Sequence, residues 1–310
     1  MVKKGVKNRG VDAVDSPLKY PGGKSYMLSF LSGVAPPRHS YDTLVEDYFG
    51  GGGFTLAHDP EGKSEIANDL NGELTNFWRT LQDEGLFGAF SRRLEATPFS
   101  AAEFERALCP LPDRPGEDPT VVDRVVMIRR AVAFFVANRQ SAMGIGKSFA
   151  PLTTGRLRRG MNEQVSAWLT AVEGLPAVHA RLKRVLVLNE DAAGLISRLD
   201  KPRVFHFADP TYLPETRVSK KLYKTEMSVA DHESLLLTLQ KVEHAQVMLC
   251  GYDSAMYRDA LEGGATKWHR HLKTVPSAMS KTDGKAKPTR IEVVWTNYGA
   301  DGRLIVRPPL

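Results

Sequence analysis

Asp209-Pro210-Thr211-Tyr212 closes an apolar run, Val204-Phe205-His206-Phe207-Ala208, and sets three different chemical groups within four residues. The Asp209 carboxylate can accept an N–H bond and the Pro210 carbonyl can accept a second. Tyr212 offers a ring face for stacking. Two acceptors and a stacking surface suit a flat, amine-bearing ring. The competing reading is an Asp-Pro turn followed by a surface tyrosine.

The elements that must position these groups alternate along the chain. The apolar run reads as a strand, and in an open α/β sheet ligands bind outside the carboxyl ends of strands. Thr43 to Asp47 reads as an earlier strand, running into the turn Gly50-Gly51-Gly52-Gly53 and a short helix. Glu65 to Asp69 reads as the next strand. Glycines after a first strand allow positive φ and close backbone approach to a ligand. An acidic residue about 20 positions on can grip a ribose hydroxyl, and Asp69 stands there. The dinucleotide fingerprint is not met, because Thr55 occupies its third glycine position. An adenosine ligand without a pyrophosphate fits that departure.

From Leu74 to about Arg184 the spacing is mostly helical. Phe77, Trp78 and Leu81 share one face, and Val165, Trp168, Leu169 and Val172 another. Strand character returns at 185–188, 204–208, 247–250 and 291–296, with a last strand expected over 304–306. Ser228 is placed to cap a helix carrying Leu235, Leu236 and Leu239. The residues thus predict an α/β sheet with a helical block inserted after its second strand. Segments 110–116 and 277–288 read as loops, and residues 1–15 as a flexible basic leader.

Charge is uneven. Arg124, Arg129, Arg130, Arg139, Lys147, Arg156, Arg158, Arg159, Arg181, Lys183 and Arg184 crowd one stretch against Asp123, Glu163 and Glu173. Arg217, Lys220, Lys221 and Lys224 follow Tyr212. Two basic clusters point to a polyanion, nucleic acid above all, whereas a solvated face explains either cluster alone. Cys109 and Cys250 are far apart, the histidines show no ligand-like grouping, and no metal is expected. No apolar stretch reaches membrane-spanning length, so a cytoplasmic protein is expected. Gly22-Gly23-Lys24-Ser25 and Gly144-Ile145-Gly146-Lys147-Ser148 are not P-loops: Leu18 and Ser141 stand where the first glycine is needed.

Taken together, Pro17 to Lys24, Val45 to Gly52, Asn68 to Asn71, Asn189 to Asp191, Asp209 to Tyr212 and Arg290 to Asn297 resemble the Dam-like (D12 class) adenine-specific DNA methyltransferases, particularly those of phage and prophage. The resemblance implies a class I (Rossmann-like) methyltransferase fold over 16–73 and 185–310. It also implies an inserted, mostly helical target-recognition domain over 74–184. The implied cofactor is S-adenosylmethionine and the implied partner double-stranded DNA, handled by a monomer or weak dimer in a bacterial or phage-infected cell. By position, Tyr20 and Lys24 would contact the methionine part of the cofactor. Tyr48, Gly50 and Gly52 would line its bed, Asp69 would hold the ribose and Asp191 would meet the adenine. Asp209, Pro210 and Tyr212 would be catalytic. The hairpin-like region 138–160 falls where the family reads its target, with Arg139, Lys147, Arg156, Arg158 and Arg159 as DNA contacts.

Two residues depart from the family pattern. Asp47 and Thr211 each replace a proline, and Thr211 restores an N–H and loosens the backbone that aims Tyr212. The same acceptors serve any exocyclic amine, so N4-methylation of cytosine is an alternative. A DNA-binding homologue with weakened or lost catalysis is another.

Overall fold

The structure, a computed structural model, describes residues 13–20, 22–109, 123–151, 153–216, 226–263, 267–276 and 289–305. The leader up to residue 12, the basic cluster Arg217, Lys220, Lys221 and Lys224, Val306, and the loops 110–116 and 277–288 lie outside the described residues. The strands are β1 (Thr43–Glu46), β2 (Ser64–Asn68), β3 (Leu157–Arg158), β4 (Met161–Asn162), β5 (Val185–Leu188), β6 (Val204–Ala208), β7 (Gln246–Gly251), β8 (His269–Pro276) and β9 (Thr289–Thr296). The α-helices are α1 (Leu28–Val34), α2 (Gly72–Gln82), α3 (Glu84–Glu95), α4 (Ala101–Leu108), α5 (Arg124–Gln140), α6 (Glu163–Glu173), α7 (Leu175–Leu182), α8 (Ala192–Arg198), α9 (Val229–Leu239) and α10 (Ala255–Leu261). Among the described residues no helix is long and apolar enough to cross a membrane.

The chain forms two compact units. One comprises Tyr26–Phe49, Gly62–Leu70 and Glu190–Leu310. It holds a mixed sheet in the order β2-β1-β6-β7-β9-β8. The pairs β1–β2, β1–β6 and β6–β7 are parallel, whereas β9 runs antiparallel to β7 and β8. Central strands covered on both faces read as unbroken apolar runs, and β6 and β7 are buried at every residue. Phe205, Phe207, Val247, Met248, Leu249, Val293 and Trp295 form this core. Helix α9 starts at Ser228, whose Oγ accepts from the Asp231 N–H while Asp231 reaches back to the Ser228 N–H. That reciprocal box satisfies two otherwise orphaned donors.

The other unit comprises Met1–Ser25, Gly50–Glu61 and Asn71–Asn189 and carries α2 to α7. Phe77, Phe90, Phe135 and Trp168 make an aromatic core, with Phe77 and Phe135 stacked at 5.8 Å. Asn71 caps α2 by accepting from the Glu73 and Leu74 N–H groups. Strands β3 and β4 form a two-residue hairpin whose turn, Arg159-Gly160, has φ of 57° and 74°. Positive φ at both turn residues matches the twist of a tight hairpin.

Two expectations need correction, and one strand was not anticipated. Of the last expected strand, Leu304 makes an isolated bridge to Tyr298 and no strand is present among the described residues there, Val306 lying outside them. Strand β8 is present although its sequence gave no apolar signal, because it lies at the sheet edge and is mostly exposed. On α6, Trp168 and Val172 are buried but Leu169 is exposed.

Candidate active site

In the sheet unit the chain runs from β1 to β2 on one side and later places β6 on the other side of β1. The strand order therefore reverses between β1 and β6, and the crevice outside their carboxyl ends is the position where such sheets bind ligands. Asp47 and Tyr48 follow β1, Asp69 follows β2, Asp209 and Pro210 follow β6, and Tyr252 follows β7.

Asn68 fastens this edge. Its buried amide donates to the carbonyls of Asp47 and Glu190, both at 3.1 Å, and its Oδ1 accepts from the Glu190 N–H at 3.0 Å. The loop carrying Asp191 is thereby tied to the ends of β1 and β2, which bear Tyr48 and Asp69. Asp191 also caps α8 by accepting from the Gly194 N–H at 2.8 Å. Tyr48 is buried enough that desolvation pushes its phenol well up, with the Asp47, Asp191 and Asp231 carboxylates adding to the effect. It remains a neutral hydroxyl.

The buried Asp47 lies against the buried His206 of β6. His206 Nδ1 is 3.0 and 3.2 Å from the two Asp47 oxygens, and Nε2 is 3.4 Å from the Leu199 carbonyl. Burial alone would lower the His206 pKa. The Asp47 carboxylate, its hydrogen bond and the Leu199 carbonyl outweigh that and hold it above the ordinary value. Burial pushes the Asp47 carboxyl up, with His206 opposing. His206, which belongs to no ligand-like grouping in the sequence, is the buried partner of Asp47.

Tyr212 is fixed at both ends. Its hydroxyl donates to Glu292 Oε2 at 2.8 Å, and its ring meets Tyr252 edge-on, with centroids 4.5 Å apart at 74°. Burial, reinforced by Asp209 and Glu292, pushes its phenol well above the usual range. Thr211 Oγ1 accepts from the Met227 N–H at 3.0 Å. Sequence reasoning passed over Tyr252 and quoted Asn68 and Glu292 only within longer segments, without a role. For Glu292 a signal existed: it shares a strand face with Val294 and Thr296, so its charge points inward.

In the helical unit Lys19-Tyr20 is pinned to the end of α5. Asn138 Oδ1 accepts from the Lys19 N–H at 2.9 Å, Asn138 Nδ2 donates to the Lys19 carbonyl at 3.0 Å, and Lys19 Nζ donates to the Arg139 carbonyl at 2.8 Å. Burial, then Arg139, lowers the Lys19 pKa to about 8. A Cβ at Gly144, where φ is +77°, would fall 1.7 Å from the Lys19 carbonyl oxygen. The glycines once compared with a P-loop thus include one that serves backbone contact. The Tyr20 ring lies over the glycine turn: a Cβ at Gly50 would sit 2.8 Å from its Cε1. Trp78 Nε1 donates to the Gly50 carbonyl at 3.1 Å, while Gly52 also has positive φ. Lys24 is buried and donates to the Gly22 carbonyl at 3.0 Å.

The basic residues differ in burial and pairing. Arg139 is largely buried with Nη2 on the Ala167 carbonyl at 2.9 Å, and burial lowers its pKa to about 10. Arg159 makes a two-pronged pair with Glu173 at 2.9 and 3.1 Å. Arg156 is 3.6 Å from Glu163 yet three-quarters exposed. Arg124, Arg130, Lys183 and Arg184 pair with Asp83, Glu73, Glu84 and Glu61. Arg158 and Lys147 are exposed.

A mostly parallel α/β sheet with acidic and aromatic residues at its reversal point defines a Rossmann-like methyltransferase fold. The chain matches the D12 class N6 adenine-specific DNA methyltransferases over residues 20–275, well over half its length, and it belongs to that family. It is a DNA adenine methyltransferase. No curated relative matches it.

Proposed function

We propose that the protein methylates the N6 amine of a flipped adenine in double-stranded DNA, with S-adenosylmethionine as donor and Asp209-Pro210-Thr211-Tyr212 as the catalytic segment. The reading rests chiefly on the position of that segment at the carboxyl end of β6, beside the reversal point. The carboxylates of Asp69 and Asp191 and the neutral phenol of Tyr48 suit the hydroxyls and adenine N–H groups of the donor; Tyr20, Lys24, Gly50 and Gly52, in the other unit, are assigned to it by motif alone. S-adenosylmethionine supplies a methyl already activated on a sulfonium, so the chain needs no covalent intermediate.

The adenine amine is a poor nucleophile because its lone pair is delocalised into the ring. Asp209 and the Pro210 carbonyl, accepting its two N–H groups, draw the nitrogen toward tetrahedral geometry and offset the positive charge that develops. Preorganised groups of this kind are worth about two to three orders of magnitude each. A base inside the duplex cannot reach them, so it is extruded and stacks on Tyr212. Lys147, Arg156 and Arg158 are the best-exposed candidates for phosphate contact, in the inserted region 74–184 that we assign to target recognition.

Asp209→Ala is the test. It should bind cofactor and DNA with little change and lose roughly 100-fold or more in methyl transfer. Undiminished transfer would remove Asp209 from the site. Nucleoside mass analysis of the product separates N6-methyladenine from N4-methylcytosine.

A further inference from the structure

Glu292 stands on β9, beyond the end of the family match at residue 275. Its side chain is 1 % exposed. A buried carboxylate is costly unless its oxygens are bonded, and both are. Tyr26 Oη donates to Oε1 at 2.7 Å, and Tyr212 Oη donates to Oε2 at 2.8 Å. Arg290 Nε lies 3.0 Å from Oε1, and Arg290 Nη2 donates to Tyr26 Oη at 3.0 Å. The same guanidinium sits over the rings of Tyr26 and Tyr252, 5.6 and 5.9 Å from their centres.

We propose that Glu292 is a positioning residue that fixes the ring of Tyr212 for stacking on the target base. A tyrosine held only at Cβ can swing about χ1. A hydrogen bond at the opposite end of the ring fixes the direction of its long axis, and the edge contact with Tyr252 limits rotation about that axis. Thr211 lacks the fixed φ of a proline, so the backbone before Tyr212 is not itself rigid and a second anchor adds to its aim. The inference rests on the assignment of Asp209 to Tyr212 as the catalytic segment.

A double-mutant cycle tests it. Glu292→Gln, Tyr212→Phe and the double variant are assayed with tritiated S-adenosylmethionine and unmethylated plasmid DNA, alongside cofactor Kd and melting temperature. Glu292→Gln and Tyr212→Phe should each lower kcat roughly ten-fold with cofactor Kd unchanged, since loss of a charged hydrogen bond and sub-ångström misplacement have effects of that order. The double variant should be no slower than either single one. If the losses multiply, or if Tyr212→Phe keeps the native kcat, Glu292 does not act through the hydroxyl. Tyr212→Phe alone carries the test should Glu292→Gln fail to fold. Asp209→Ala separates the two levels: if it is inactive while the other losses multiply, only the positioning role fails, whereas an active Asp209→Ala removes the catalytic assignment itself.

Discussion

Replacing Asp47 by alanine removes one half of an ion pair that has no access to water. Both residues are fully buried, and His206 presents each ring nitrogen to an acceptor, Asp47 on one side and the Leu199 carbonyl on the other. An imidazolium satisfies both acceptors, and neutral imidazole can satisfy only one. Without Asp47 the ring must shed its charge and leave Nδ1 facing a void. Breaking a buried pair by removing one partner costs about 3–5 kcal/mol. At about 2–4 °C per kcal/mol for domains of roughly 150–250 residues, that is a fall of about 6–20 °C in Tm. The assay is thermal and urea unfolding of Asp47→Ala, His206→Ala and the double variant. A coupling energy well above about 0.5 kcal/mol is expected, because contacting residues fail additivity. The pH profile provides a second reading. His206 is held above its ordinary value of 6.5, so its stabilisation is complete below 6.5 and is lost as pH rises through the folded value. Asp47, pushed up by burial from 3.8, has the same sign but begins to lose its contribution at that lower pH. The native protein should therefore lose stability above pH 6.5 relative to Asp47→Asn. Additive single losses together with parallel pH profiles would refute the pairing argument.

Two further predictions concern the helical unit. Arg158→Ala should reduce the salt slope of DNA binding by about one, as for a lost phosphate contact, while Arg159→Ala should leave it nearly unchanged because Glu173 already holds that guanidinium; anisotropy titrations across salt decide, and equal losses would contradict the distinction. Gly144→Ala should destabilise the protein by well over the roughly 1 kcal/mol cost of a left-handed residue, since its Cβ would strike the Lys19 carbonyl, whereas Gly146→Ala, with φ +73° and open space around it, should pay only the conformational cost. Urea midpoints compare the two.

What could be read from the residues followed how each signal is encoded. β6 and β7 are interior strands, and burial on both faces wrote them as largely apolar runs. β8 lies at the edge, where Arg270 and Lys273 are compatible with solvent and blunt an otherwise open edge, so its sequence resembles a loop. Ser228 was legible because a cap is a local arrangement of residues close in sequence. Charge pointed to nucleic acid, in agreement with the family, but which cations are already paired was not legible because their compensation is not local. Within the stretch around Arg124 to Arg184 the bases outnumber the acids, but Glu61, Glu73, Asp83 and Glu84 lie outside that window and pair with its arginines and lysine. The clamp of Tyr212 was illegible for the same reason: 80 residues separate it from Glu292, and no periodicity joins them.

The two departures from the family pattern bear on whether this chain has decayed. A residue lost to drift leaves its neighbours unsatisfied or its space empty. Asp47 does neither: its carboxylate meets His206 within hydrogen-bonding distance on the adjacent parallel strand. Thr211 also has a use, since its hydroxyl accepts from the Met227 N–H one residue before the Ser228 cap of α9. Proline at either position would supply rigidity but no polar side chain, and would leave His206 Nδ1 or the Met227 N–H without that partner. Each change thus exchanges a backbone constraint for a side-chain bond that ties the strand end to another segment. Where Thr211 gives up stiffness directly behind Tyr212, Glu292 holds the far end of the same ring. Such paired adjustments are what a retained geometry requires, and they weigh against reading Asp47 and Thr211 as marks of lost catalysis.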